Sequence, residues 1–409
     1  MQKIIPRVQD YPWGSKRWIP EFLGLPASDG KPWAELWYGA HSKAPSRVDG
    51  SDADLLRWIK DDPDRILGSR VVHAFGPQLP FLLKLLAAAE PLSIQCHPTR
   101  EQAREGYERE NRLGIPLDSP QRNYKDPNHK PEILLALHPC TALCGFRSPV
   151  AILEGFSRLV PLVPDLEEFF PLLERGDLAG FFRTFLTLPR KVLGSWIRTC
   201  RTHLFREGDP ARPEDRWFGR LADRYPDDPG CFAPFYLNLV ELAPGEALFL
   251  EAGILHAYLM GFGIELMANS DNVLRGGLTS KHMDVEELLK IVRFEARDPM
   301  VVRPEQRRIQ TPEGTFQEDL YRVPVSEFSL SLLRFTGRAD GVPLPVTGPE
   351  ILLCGGGEWE LRRTPEDEPI SLKRGEACFV DAGIPTILLW GGEPESGGML
   401  VRARVPLDG

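Results

Sequence analysis

The sequence predicts a mainly β protein: two jelly-roll barrels, with an α-helical domain inserted into the first. Three observations predict it. The 409 residues include 39 prolines and 37 glycines, which cut most of the chain into short, strand-like pieces. Residues 149–225 break that pattern, with apolar residues at three- and four-residue spacing. Finally, LAPGEALFLEAGILHAYL (242–259) aligns without a gap onto LKRGEACFVDAGIPTILL (372–389), with nine identities in eighteen positions. Glycine turns between alternating apolar strands suit a jelly-roll hairpin, and the repeat gives two copies of it.

Taken in order, residues 1–50 carry short strands separated by turns such as YPWGS. Residues 52–60 (DADLLRWIK) read as a short helix. Leu79–Ala89 is a long apolar run, followed by PLSIQCHP at 91–98. Thr99 opens a second helix, with Gln102 at the spacing of a capping box. Ser148-Pro149 starts the helical insertion, since proline is tolerated at the first helical position. Strands resume at Phe232. Asp284 caps a short helix, with Glu287 three residues on, and the polar, proline-rich stretch 300–320 reads as a linker. The expected units are 1–148 and 231–308 for the first barrel, 149–230 for the helical insertion and 309–409 for the second barrel.

Net charge is −9 and no Lys/Arg block stands out, which argues against a nucleic-acid partner. The N-terminus has no apolar signal segment, and no run of eighteen apolar residues could span a membrane. Seven scattered cysteines without an export signal point to reduced thiols in a cytoplasmic protein. Cys140 and Cys144 lack a second pair to complete a zinc site and read as core residues.

Three stretches carry candidate chemistry. In PLSIQCHP, Ser93, Gln95 and His97 alternate with Ile94 and Cys96, so a strand here shows three polar side chains on one face. That face either meets solvent or holds an ion. Asn128-His129-Lys130-Pro131-Glu132 puts Lys130 and Glu132 two apart, able to face one cavity. His256 lies in the first copy of the repeat, where the second has Thr386. A histidine needed only for the fold should recur, so one competent site and one degenerate barrel are expected. Gln95, His97, Glu132 and His256 would make a four-ligand N/O set suited to one zinc ion per chain, and tolerant of other divalent first-row metals.

PLSIQCHP, YKDPNHKPE, LHAYL and ELMANSDNVLRGGLTSK together resemble the type I phosphomannose isomerases, zinc-dependent mannose-6-phosphate isomerases of the cupin superfamily. The resemblance runs in order from about Tyr11 to Lys281. It implies two cupin barrels, zinc held by Gln95, His97, Glu132 and His256, and a catalytic role for Arg275. It also implies interconversion of mannose 6-phosphate and fructose 6-phosphate. Pro12, Leu255 and Cys96 depart from the family's usual residues, but none removes a ligand. Cys96 should point away from the metal; facing inward, it would be a soft fifth ligand.

Moving a carbonyl between neighbouring carbons removes a proton alpha to that carbonyl and leaves an anionic enediol. A metal can hold the charge and a base can carry the proton. Arg275 is too strong a base to take a proton, so charge stabilisation or clamping of substrate oxygens is its expected role. Lys130, His129, Glu265 and Asp271 are the candidate bases, with Lys130 preferred; Asp271 could instead orient Arg275. Arg275, Lys281 and Lys130 form the expected phosphate cluster, with Ser93 a further substrate contact. The expected partner is a sugar phosphate and the expected state a monomer. Two other readings are a non-catalytic metal-binding cupin that holds a sugar phosphate and an iron-dependent cupin oxygenase. A mere binder would not need Arg275 and Lys130 together, and the usual oxygenase triad has no glutamine ligand.

Overall fold

One strand, His256–Ala268, ties the first half of the protein together. Its N-terminal part pairs with Gln95 on one side and with Cys140–Phe146 on the other. Its C-terminal part pairs with Phe81–Ala88 and Glu132–Ala136. Eleven strands are joined through it, and two further sheets of eight and four strands are built mostly from the C-terminal hundred residues. The computed structural model describes residues 1–206, 208–312, 314–392 and 398–407. The protein is mainly β, with most of its helical residues between Pro149 and Tyr236.

Local signals act as expected. Thr99 and Gln102 form a full capping box on the helix Arg100–Arg112. Asp54, Ser148 and Asp284 cap the helices Leu55–Asp61, Pro149–Ser157 and Val285–Ile291. The helical layer packs through a cluster of aromatic rings that includes Phe156, Phe169, Phe181, Phe185 and Tyr236. That core continues into Ile94, Cys96, Leu143 and Leu274 on the sheet beneath. The apolar side of PLSIQCHP therefore faces the helices, which leaves its polar side to face the opposite way.

The stretch 300–320 is not a linker. It forms strands Met300–Val302, Glu305–Thr311 and Gly314–Tyr321. Its polarity arises because Glu305–Thr311 lies at the edge of the eight-stranded sheet, where most of its residues stay in water. The boundary expected at 308/309 falls inside that strand. In addition, Gln2–Ile5 pairs with Ala377–Val380 and on its other side with Arg47–Val48, so two N-terminal strands extend the C-terminal sheet.

The internal repeat is structural. Ala247–Leu250 and Ala377–Val380 are strands at the same offset, and the strands after them begin at His256 and Thr386. The pairing pattern is also preserved. Leu250 pairs with Glu132, and Val380 with Glu350. Glu265 pairs with Leu134, and Arg402 with Leu352. Glu350 thus stands where Glu132 stands, and Arg402 where Glu265 stands. In the C-terminal unit these two buried residues form an ion pair, Nη2 to Oε2 at 2.7 Å. Removing one member of such a pair leaves an uncompensated buried charge. Arg402→Met is expected to destabilise the protein by about 3 kcal/mol, read as a lower thermal midpoint, with metal content unchanged.

Candidate active site and metal centre

The strand Ile94–Cys96 is only three residues long, yet it sets the site. Gln95 pairs with His256 on one side and with Arg275 on the other, giving one cross-strand row. Neighbouring residues in such a row lie about 5 Å apart, so their side chains share one neighbourhood. Cys96 is fully buried among apolar residues on the opposite face.

His97 and His256 meet Glu132 at this place. Each imidazole Nε2 lies 3.5 Å from Glu132 Oε2. The other ring nitrogens are taken: His97 Nδ1 is 2.7 Å from the Asn272 carbonyl, and His256 Nδ1 is 2.9 Å from the Ile254 carbonyl. A carbonyl only accepts, so each Nδ1 carries a proton and each Nε2 is the nitrogen turned towards Glu132. The His97 Nε2 is buried without a hydrogen-bond partner. Burial, with Lys130 adding to it, pushes His97 down to about 4, which keeps the ring neutral. Burial alone would raise Glu132, but the Lys130 ammonium beside it outweighs burial and holds the carboxyl well below its usual range. A carboxylate oxygen and two imidazole nitrogens, all within 4.8 Å of one another, could hold one metal ion.

Two motifs of the sequence hold this arrangement by binding each other. Asn272 Nδ2 donates to the carbonyls of Asp126 (2.7 Å) and Asn128 (2.8 Å), and its Oδ1 accepts the Lys125 N–H (2.7 Å). Asp126 accepts Ser270 Oγ (2.8 Å) and the Asp271 N–H (2.7 Å). The SDN segment thus fixes the loop before Glu132 and orients His97 through its own carbonyl.

Glu132 and His256 line a cavity of about 1330 Å³, while His97 is fully buried. Ser93, Gln95, Lys130, Glu265, Asp271, Arg275 and Lys281 all line it. Lys130 Nζ contacts Glu132 Oε1. Asp271 is held by Lys43 at 2.8 Å, with His41 at 3.6 Å, and makes no hydrogen bond to Arg275. Burial would raise Asp271, yet His41 and Lys43 outweigh it and hold the carboxyl low.

His129 does not line the cavity. Its Nε2 lies 2.7 Å from Glu327 Oε1, in a cluster with Arg100 that joins the loop to the C-terminal half. Pro131 follows Lys130, and the residue that reaches the cavity is Lys130, not its neighbour.

The sequence reading missed Lys84, Glu35 and Lys125. Lys84 lies inside the apolar run FLLKLLAA, every residue of which is buried. Its Nζ meets Glu265 at 2.7 Å and Glu35 at 3.5 Å. Burial opposes its charge, but Glu265 and Glu35 outweigh burial and raise its pKa, so Lys84 stays an ammonium. A lone lysine in a fully apolar strand is itself a signal, since lysine is almost never buried unpaired. Lys125 sits in the quoted YKDPNHKPE, where Lys130 drew the attention. It faces the cavity beside Arg275 and Lys281. Burial lowers Lys281, and Arg275, Lys125 and Lys43 lower it further by repulsion. Among the described residues, no hydrogen bond or ion pair holds the side-chain cations of Lys125, Arg275 or Lys281.

Known proteins resemble the chain over nearly its whole length. The family model for the catalytic domain of type I phosphomannose isomerase matches residues 1–149. The mannose-6-phosphate isomerase of Escherichia coli is 37% identical over 386 residues, covering 93% of this chain and 95% of its own. That of Homo sapiens is 33% identical, covering 92% of each chain. A crystal structure of mannose 6-phosphate isomerase from Salmonella typhimurium, bound to its substrate fructose 6-phosphate and zinc, has a TM-score of 0.86. It is 35% identical, and the match covers 100% of both chains. With such identity along the whole chain, and a donor triad and a cationic cavity built from the motifs that first suggested it, this chain belongs to the type I phosphomannose isomerase family.

Proposed function

We propose that this chain is a zinc-dependent aldose–ketose isomerase that interconverts mannose 6-phosphate and fructose 6-phosphate. The observation that carries the reading is a three-donor metal cluster at the wall of one cavity that also holds three cations without partners among the described residues. Half-buried charges of one sign repel one another and are costly to keep together. A phosphate dianion removes that cost, and a sugar of six carbons extends from it towards the metal. The relatives named above supply the particular sugar.

Zinc would be held by His97, Glu132 and His256, with Gln95 as the fourth protein donor. When bound, it acts as a Lewis acid that offsets negative charge on the substrate oxygens. The rest falls to the chain. Lys125, Arg275 and Lys281 bind the phosphate end, with Arg275 also near the reacting carbons through its place beside Gln95. Ser93 borders the same side. Lys130 holds the outer oxygen of Glu132 and can reach a substrate hydroxyl. Three carboxyls of the site, Glu132, Asp271 and Glu265, have different surroundings. Burial raises Glu265 above its usual range despite Lys84, whereas the other two are held low. Glu265 is therefore the carboxyl best suited to carry a proton between the two carbons, with Lys84 stabilising its ionised form and Glu35 opposing it. In this reading Glu265 carries the proton, and Lys130 and Asp271 are binding groups.

The fold reading that goes with this function is two cupin-type jelly rolls. The first is formed by most of 1–148 and by 231–302 around the site, the second by the strands from Glu305 onward with Gln2–Ile5 and Arg47–Val48, and the helical unit 149–230 packs on the first. One chain supplies every proposed ligand, so a monomer suffices. All seven cysteines are buried free thiols, in keeping with a reducing cytoplasmic setting. No helix among the described residues is long and apolar enough to cross a membrane.

Three outcomes are expected. Chelation abolishes isomerisation of mannose 6-phosphate and added zinc restores it; full turnover in metal-free protein would contradict the mechanism. His256→Ala loses metal while Thr386→Ala keeps it, measured by elemental analysis. Arg275→Ala and Glu265→Gln each keep the metal but lower kcat by about 100-fold or more. Proton NMR in heavy water should show slower solvent-deuterium entry at the transferred carbon for Glu265→Gln. Wild-type rates in that variant would assign the proton to another group.

A further inference from the structure

Between Arg275 and Lys281 the chain makes a turn that it does not favour alone. Leu278 has φ 55, and it is the one non-glycine residue among those described with positive φ. A branched, bulky side chain in this region is strained. The strand ending there, Leu274–Gly277, also shifts register between Arg275 and Gly277. The residues beyond the turn, Thr279 to His282, line the cavity.

What holds the turn comes from the far end of the helical insertion. Asp228 is 2% exposed. Its Oδ1 accepts the N–H of Leu278 and of Gly230, both at 2.8 Å, and its Oδ2 accepts the N–H of Thr279 at 3.3 Å. Arg190, at the start of the helix Arg190–Leu204, approaches Oδ2 at 3.4 Å and donates to the Asp227 carbonyl at 3.0 Å. The fit is close. A Cβ on Gly230 would lie 2.8 Å from Leu278 N, and one on Gly277 would lie 3.0 Å from Asp228 Oδ1. Leu278 itself is buried in the core that the insertion shares with the sheet.

We propose that Asp228 is a positioning residue for the phosphate end of the site. Its carboxylate stabilises the left-handed turn at Leu278 and so sets where Arg275 and Lys281 point into the cavity. This gives the helical insertion a part in the reaction, although it supplies no proposed ligand. Arg190 and three backbone N–H groups satisfy the carboxylate, which limits its repulsion of a phosphate nearby. The inference rests on the proposed phosphate site.

The test is steady-state kinetics of the zinc-loaded full chain with mannose 6-phosphate, with inorganic phosphate as a competitive inhibitor. Asp228→Ala is expected to lower kcat/KM on the order of 100-fold, because small misplacements at a site cost that much. The loss should appear mainly as a raised KM, with the phosphate inhibition constant raised in parallel and the metal content unchanged. Asp228→Asn keeps an oxygen for Gly230 and Leu278 but turns an amide towards Thr279; it should rescue most of the loss, leaving a rise in KM of about fivefold. Wild-type KM and phosphate inhibition in the alanine variant would overturn the proposal. If the alanine variant does not fold, the asparagine variant decides, and a wild-type KM there overturns it. A wild-type chain that fails to isomerise mannose 6-phosphate would sink the functional reading instead, so the two failures are distinct.

Discussion

A buried carboxylate has to be compensated, and much of this protein is arranged around that constraint. Glu132 is removed from water on a strand covered by its neighbours. Its ionised form persists because Lys130 contacts one oxygen and two imidazoles face the other. Each imidazole turns its Nε2 to that oxygen, so the cluster has room for a cation between its donor atoms. The C-terminal unit meets the same constraint at the same position without a metal. There Glu350 is compensated by Arg402, whose guanidinium fills the space directly. One framework thus carries a buried acid twice, open to a metal in one copy and closed by an arginine in the other.

The helices do more than cover a sheet. Their aromatic core reaches the apolar side of Ile94–Cys96, which turns Gln95 and Ser93 towards the cavity. Their last connection carries Asp228 to the turn beneath Arg275. The site lies between two layers that each fix part of it. The sheet places the donors by register, and the insertion sets the turn after Arg275.

The buried ion pair of Lys84 and Glu265 links the two chemical tasks. It spans the strands Phe81–Ala88 and His256–Ala268, and the second of these also carries His256. The proposed proton carrier and a proposed metal ligand therefore sit on one continuous strand. A shift of that strand by one residue would turn both away from the cavity.

Much of this was legible in the sequence because it depends on local chemistry. Alternation in PLSIQCHP, the capping box at Thr99 and Gln102, the Ser148-Pro149 helix start and the repeat at 242 and 372 need only neighbours along the chain. The absence of histidine at Thr386 already separated the two copies. Other features depend on residues far apart in sequence. The strand Glu305–Thr311 is polar because it lies at a sheet edge, which its composition could not distinguish from a linker. His129 and Lys130 are adjacent, and only packing against Glu327 decides which one reaches the cavity. Lys84 gains its meaning from Glu265 and Glu35, and Asp228 from a turn fifty residues away. The sequence by itself determined which donors were available and the periodicity that groups them. The tertiary structure decided which charges meet, because pairing across strands and burial from water are properties of distance in space.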